Sequence, residues 1–135
     1  MNVKNILLVE DDYLDVESVR RALSKIKIGH NLMVAHNGVD ALGILTSEDM
    51  KVAPDVILLD LNMPKMNGME MLTIIKNYYS LKKIKTFILT TSGEEYEKIA
   101  AQNLGVAGYI IKPLSFKEPM NDDTALLLKE LLAEG

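Results

Sequence analysis

Four short, unbroken apolar runs, each ending on a polar residue, constrain the fold of this chain more than any other feature. Ile6-Leu7-Leu8-Val9 runs into Glu10-Asp11-Asp12, and Val56-Ile57-Leu58-Leu59 into Asp60. Phe87-Ile88-Leu89 runs into Thr90-Thr91-Ser92, and Tyr109-Ile110-Ile111 into Lys112-Pro113. A weaker run, Leu32-Met33-Val34-Ala35, lies between the first two. A half-buried strand alternates apolar with polar residues, so continuous runs suit strands covered on both faces, as in parallel sheets.

The segments between these runs carry helical spacing. Leu14, Val19, Leu23 and Ile26 share a face of a helix over about 14–27. Val39, Leu42 and Leu45 do so from about 38, with Asn37 as N-cap. Met69, Leu72 and Ile75 mark a third helix after Gly68, and Ser92-Gly93-Glu94-Glu95 has capping-box spacing for a fourth, stopped at Gly105. Leu127, Leu128, Leu131 and Leu132 mark a fifth, starting after Asn121-Asp122-Asp123. Strands alternating with helices predict an α/β fold, a doubly wound five-stranded parallel sheet with helices on both faces.

Composition narrows the function classes. The 135 residues suit one domain, and the absence of cysteine removes disulfides, thiolate metal sites and cysteine nucleophiles. A net charge of −4 argues against nucleic acid as a partner, whose binders carry a basic stripe. No apolar run approaches the ~20 residues of a membrane span, and the N-terminus does not read as a signal peptide. A cytoplasmic domain is the expectation.

In such a sheet, ligands sit at the carboxyl ends of the strands. Asp11 and Asp12 follow the first strand, Asp60 the third, Thr90 ends the fourth, and Lys112 follows the fifth. Three carboxylates, a hydroxyl and an ammonium therefore converge on one edge. Clustered carboxylates repel unless a cation joins them, and Mg²⁺ prefers a few carboxylates plus phosphate oxygens. A lysine opposite supplies charge where a phosphoryl group would arrive, and a carboxylate is a competent nucleophile for it. Taken singly, each residue has a plain explanation. Asp11-Asp12 could cap a helix, Asp60 could be a turn residue, Lys112 could be solvated, and Thr90 suits any strand. Their joint placement on four strands is what points to phosphoryl transfer.

Taken together, Leu8-Val9-Glu10-Asp11-Asp12, Leu59-Asp60-Leu61-Asn62-Met63-Pro64-Lys65-Met66-Asn67-Gly68, Leu89-Thr90-Thr91-Ser92 and Gly108-Tyr109-Ile110-Ile111-Lys112-Pro113 resemble the receiver domain of two-component response regulators. The resemblance runs from Ile6 to about Leu132 and implies the flavodoxin-like strand order 2-1-3-4-5. It implies Asp60 as phosphoacceptor, served by a histidine kinase or a histidine phosphotransfer protein. Mg²⁺ would be bound by Asp11 or Asp12, by Asp60 and by the Asn62 backbone carbonyl, with Asp12 matching the directly coordinating acid better. Thr90 and Lys112 would contact the phosphoryl group, and Tyr109 would turn inward as Thr90 is drawn to it. Pro113 matches a proline preceded by a cis bond. Gly68 matches a loop glycine, for which a positive φ is the expected reason. Asn62 and Ser92 match positions that line the path of attacking water, which implies a modest phosphoryl lifetime.

The fifth helix ends near the last residue, so residues 1–135 are expected to form a single receiver domain with no output domain. Output would then pass to a downstream protein through the fourth helix, fifth strand and fifth helix, and the leucine-rich fifth helix leaves a homodimer open. His30, placed in a turn, and His36 have no metal-ligand partner at helical spacing and read as structural or solvated. Met63, Met66, Met69 and Met71 read as core and loop filling. Glu10-Asp11-Asp12 followed by Asp15, Leu61-Asn62, and the Leu-Thr-Thr-Ser stretch also resemble single-domain regulators paired with bacterial phytochrome-type histidine kinases. A chemotaxis or phosphorelay intermediate stays open beside that subtype. Phosphohydrolases of the haloacid-dehalogenase type want a second acid where this chain has Asn62. A pseudo-receiver would require the loss of a site residue.

Overall fold

The structure, a computed structural model, describes residues 3–47, 53–61, 66–78, 81–91 and 93–133. The elements alternate along the chain: β1 (Lys4–Val9), α1 (Tyr13–Lys25), β2 (His30–Ala35), α2 (Gly38–Leu45) and β3 (Val56–Leu59). They continue with α3 (Gly68–Asn77), β4 (Lys85–Thr90), α4 (Glu95–Asn103), β5 (Gly108–Ile111) and α5 (Asp122–Leu132). The strands form one sheet in the order β2-β1-β3-β4-β5, every neighbouring pair parallel. Both the doubly wound fold and its strand order are as expected.

The unbroken apolar runs follow from burial on both faces. Side chains alternate across a strand, so one sheet supplies two cores. Leu7, Val9, Ile57, Leu59 and Ile88 pack under α2, α3 and α4, against Leu45, Met71, Leu72, Ile75 and Ala101. Ile6, Leu8, Val56, Leu58, Phe87 and Leu89 face the other way, against Val16, Val19 and Leu23 of α1 and Leu127 and Leu131 of α5. Each fully buried aliphatic side chain contributes about 1.5–3 kcal/mol. No described helix is long and apolar enough to cross a membrane.

Four helices start on side-chain caps. Asp12, Asn37 and Asn121 accept from backbone N–H groups in the first turn, and Asn67 with Glu70 forms a capping box. Helix α4 differs from the expected start. Its N-cap is Glu94, which makes no side-chain capping bond, and Ser92 lies outside the described residues. Gly105 adopts φ +85° just past α4, the left-handed stop expected there. His30 begins β2 opposite Lys4 instead of lying in a turn, and its Nδ1 is 3.2 Å from the Ile28 carbonyl. His36 is exposed. Met71 is fully buried, with Met66 and Met69 packed against the same core, and Met63 lies outside the described residues.

Candidate functional site

The order β2-β1-β3 places the topological switch between β1 and β3. Val9 and Leu59 are register partners, so Glu10 and Asp60 leave the sheet side by side. Backbone bonds continue past the strand ends and hold these residues. Glu10 N–H donates to the Ala35 carbonyl (2.9 Å), Asp60 N–H to Val9 (3.0 Å) and Lys112 N–H to Thr90 (2.8 Å). Thr90 is fully buried at the end of β4, paired with Ile111.

Carboxylate oxygens of Glu10, Asp11 and Asp60 lie within 4.8 Å of one another, with Glu10 and Asp60 buried and Asp11 exposed. The Lys112 ammonium donates to Glu10 Oε1 (2.6 Å) and Asp15 Oδ2 (2.7 Å), and stands 3.6 Å from Asp60 Oδ2. Glu10 Oε2 also accepts from Asp12 N–H at 3.2 Å. Burial raises the Glu10 carboxyl to about 7; its hydrogen bond to Lys112 works against this, and the neighbouring Asp60 works with it. Burial alone would lower Lys112, but its bonds to Asp15 and Glu10 and the charge of Asp60 outweigh that and hold the ammonium above its ordinary value.

The acid set differs from the expected one by a residue. Asp12, expected as the better metal ligand, spends its carboxylate on α1, where Oδ1 accepts from Leu14 N–H (2.8 Å) and Asp15 N–H (3.2 Å). Glu10 stands in the cluster instead. The signal for it was present, since Glu10 follows Val9 as Asp60 follows Leu59. Asp15, one helical turn on, is the second residue that the strand-end reasoning missed. The oxygen-only donor set, two buried carboxylates and an exposed third, fits a hard divalent cation such as Mg²⁺.

Asn62 and Ser92 lie outside the described residues, so the expected carbonyl ligand and the water-path positions have no geometry here. Tyr109 is buried and turned inward; its hydroxyl donates to Glu97 Oε1 (2.7 Å), and its N–H to Asp123 Oδ2 (2.9 Å). The Lys112–Pro113 bond is cis, as is Glu118–Pro119. Gly68 is needed for a different reason than expected, because its φ is not positive. A Cβ there would lie 2.5 Å from the Asp60 carbonyl oxygen and 2.6 Å from Leu61 Cα, so the start of α3 can pass behind the acid only without a side chain.

Comparison with known proteins agrees with this geometry. The family model for the response regulator receiver domain matches residues 6–121. Response regulator Rcp1 of Synechocystis sp. is 38% identical over 118 residues, 85% of this chain and 80% of that protein. The Mn²⁺-bound structure of Rcp1 superposes with a TM-score of 0.82 at 35% identity, covering 98% of this chain and 97% of that one. The bacteriophytochrome response regulator AtBRR gives 0.80 at 32% identity, covering 97% and 94%. The phosphorylated cyanobacterial phytochrome response regulator RcpA gives 0.77 at 31%, covering 96% and 89%. Other relatives, the mycobacterial MprA response regulators among them, are longer, and this chain spans about half their length. With sheet order, strand-end chemistry and these matches in agreement, the chain belongs to the response regulator receiver domains of two-component signalling.

Proposed function

We propose that Asp60 accepts a phosphoryl group from a phosphohistidine of a histidine kinase or phosphotransfer protein, and that the chain acts in the cytoplasm as a receiver. The carrying observation is the convergence of Glu10, Asp11, Asp60 and Lys112 at the switch between β1 and β3. An Asp60 carboxylate oxygen attacks phosphorus, a P–O bond forms, and the imidazole departs with the electron pair of the P–N bond. Lys112 meets the phosphoryl charge from the β5 side, and Thr90 supplies a hydroxyl from β4. Glu10, Asp11 and Asp60 would hold Mg²⁺, with the Asn62 carbonyl as a further ligand. When bound, that ion supplies charge neutralisation at the phosphoryl oxygens. Asn62 and Ser92 tune the access of water, and so the lifetime of the acyl phosphate. The reaction modifies the chain's own Asp60 and turns over no separate substrate.

Two relatives are phytochrome response regulators by name, which supports a phytochrome-type histidine kinase as donor. Output passes through α4, β5 and α5 around Tyr109, where Ile99, Ile111 and Leu126 are exposed to a downstream protein or a second copy. Acetyl phosphate with Mg²⁺ tests the reading. The wild type is expected to gain a hydroxylamine-labile phosphoryl group, seen by intact-mass spectrometry, and Asp60→Asn is not. Equal labelling of both would sink it.

A further inference from the structure

We infer that Asp15 is the exchangeable counter-ion of Lys112, holding the ammonium in the unphosphorylated protein and yielding it to phosphoryl oxygens on Asp60. This role rests on the phosphoacceptor reading of Asp60. Lysine has three N–H donors, and here two short contacts go to Glu10 and Asp15 while Asp60 stands farther away at 3.6 Å. A phosphoryl group on Asp60 carries nearly two negative charges, where the free carboxylate carries one, and offers three strong acceptor oxygens. One ammonium cannot keep three carboxylates close and also serve that group, so one carboxylate has to yield.

Exposure decides which. The Glu10 side chain is 1% exposed and that of Asp15 is 37%. Glu10 has no access to water, so separating it from the lysine would cost a buried hydrogen bond that solvent cannot replace. Separating Asp15 returns a carboxylate to water. The space for that movement exists: a cavity of about 240 Å³ opens beside the pair, with Asp15, Thr91, Lys112 and Pro113 in its wall. The Asp15 backbone stays fixed meanwhile, because its N–H is held by the Asp12 cap. Asp15 is therefore a positioning residue that competes with the phosphoryl group for the lysine, and it favours the resting state.

Beryllofluoride, which mimics a phosphoryl group on a carboxylate, tests this by titration of the Mg²⁺-loaded protein followed by NMR. Asp15→Asn removes the competing charge and is expected to bind the mimic about three- to tenfold more tightly. Asp15→Glu restores the charge and should return the affinity to the wild-type value. A residue that merely props up the site would weaken binding when changed. Equal or weaker binding by Asp15→Asn, beside a responsive wild type, overturns the role of Asp15 alone. A wild type that does not respond to beryllofluoride overturns the phosphoacceptor reading, and this inference with it.

Discussion

Glu10 bears two opposed demands, one from the metal-free protein and one from the metal. Burial and the adjacent Asp60 raise its carboxyl from 4.5 to about 7. Because the folded value lies above the unfolded one, folding strengthens proton binding. The stabilisation is complete below about 4.5 and is lost as pH rises through about 7. A divalent cation pulls the other way, since a ligating carboxylate must be ionised. Mg²⁺ affinity, measured by calorimetry, is therefore expected to fall below pH 7 by up to about tenfold per unit. Glu10→Gln should raise metal-free thermal stability at pH 8, weaken Mg²⁺ binding about tenfold or more, and flatten that pH dependence. A wild type whose Mg²⁺ affinity is the same at pH 6 and pH 8 would contradict this account of Glu10.

Helix α5 shows how an element divides its labour. Leu127 and Leu131 are buried against β-sheet residues, whereas Leu126 and Leu132 are about half exposed. In urea unfolding, Leu131→Ala is expected to cost about 2–5 kcal/mol and Leu132→Ala under about 0.5 kcal/mol. Comparable losses from both would mean that Leu132 is covered in solution. The strands were legible in the sequence because two-sided burial leaves a run such as Val56–Leu59 with no polar residue in it. The helices were legible from spacing and caps: Asn37 caps α2 as its position suggests, while α5 starts at Asp122 on an Asn121 cap, ahead of the start expected after Asp123. What could not be read was competition between neighbours. Asp11 and Asp12 look alike in sequence, yet one carboxylate joins the cluster and the other caps α1. Gly68 was legible as a required glycine, but its reason is the close passage of two backbones, which no local pattern encodes. Asp15 was invisible as a site residue because its partner, Lys112, is 97 positions away.

At the scale of the molecule, the two cores share one sheet, since neighbouring residues of every central strand point into opposite cores. A loss of packing beneath α1 and α5 is therefore felt by the strands that also support α2, α3 and α4. The backbone bonds that continue beyond the strand ends carry a further consequence. Asp60 and Lys112 are held through their own N–H groups by Val9 and Thr90. Their amides should exchange with deuterium as slowly as those of Leu58 and Leu89, because no smaller opening than loss of the sheet releases them. Mass-resolved or NMR-detected exchange reads this directly, and fast exchange at Asp60 would show a site that frays independently. Slow exchange at both amides would mean that these two positions open only with the sheet. A phosphoryl group arriving at Asp60 would then meet a backbone held by the sheet, leaving the side chains to carry the signal.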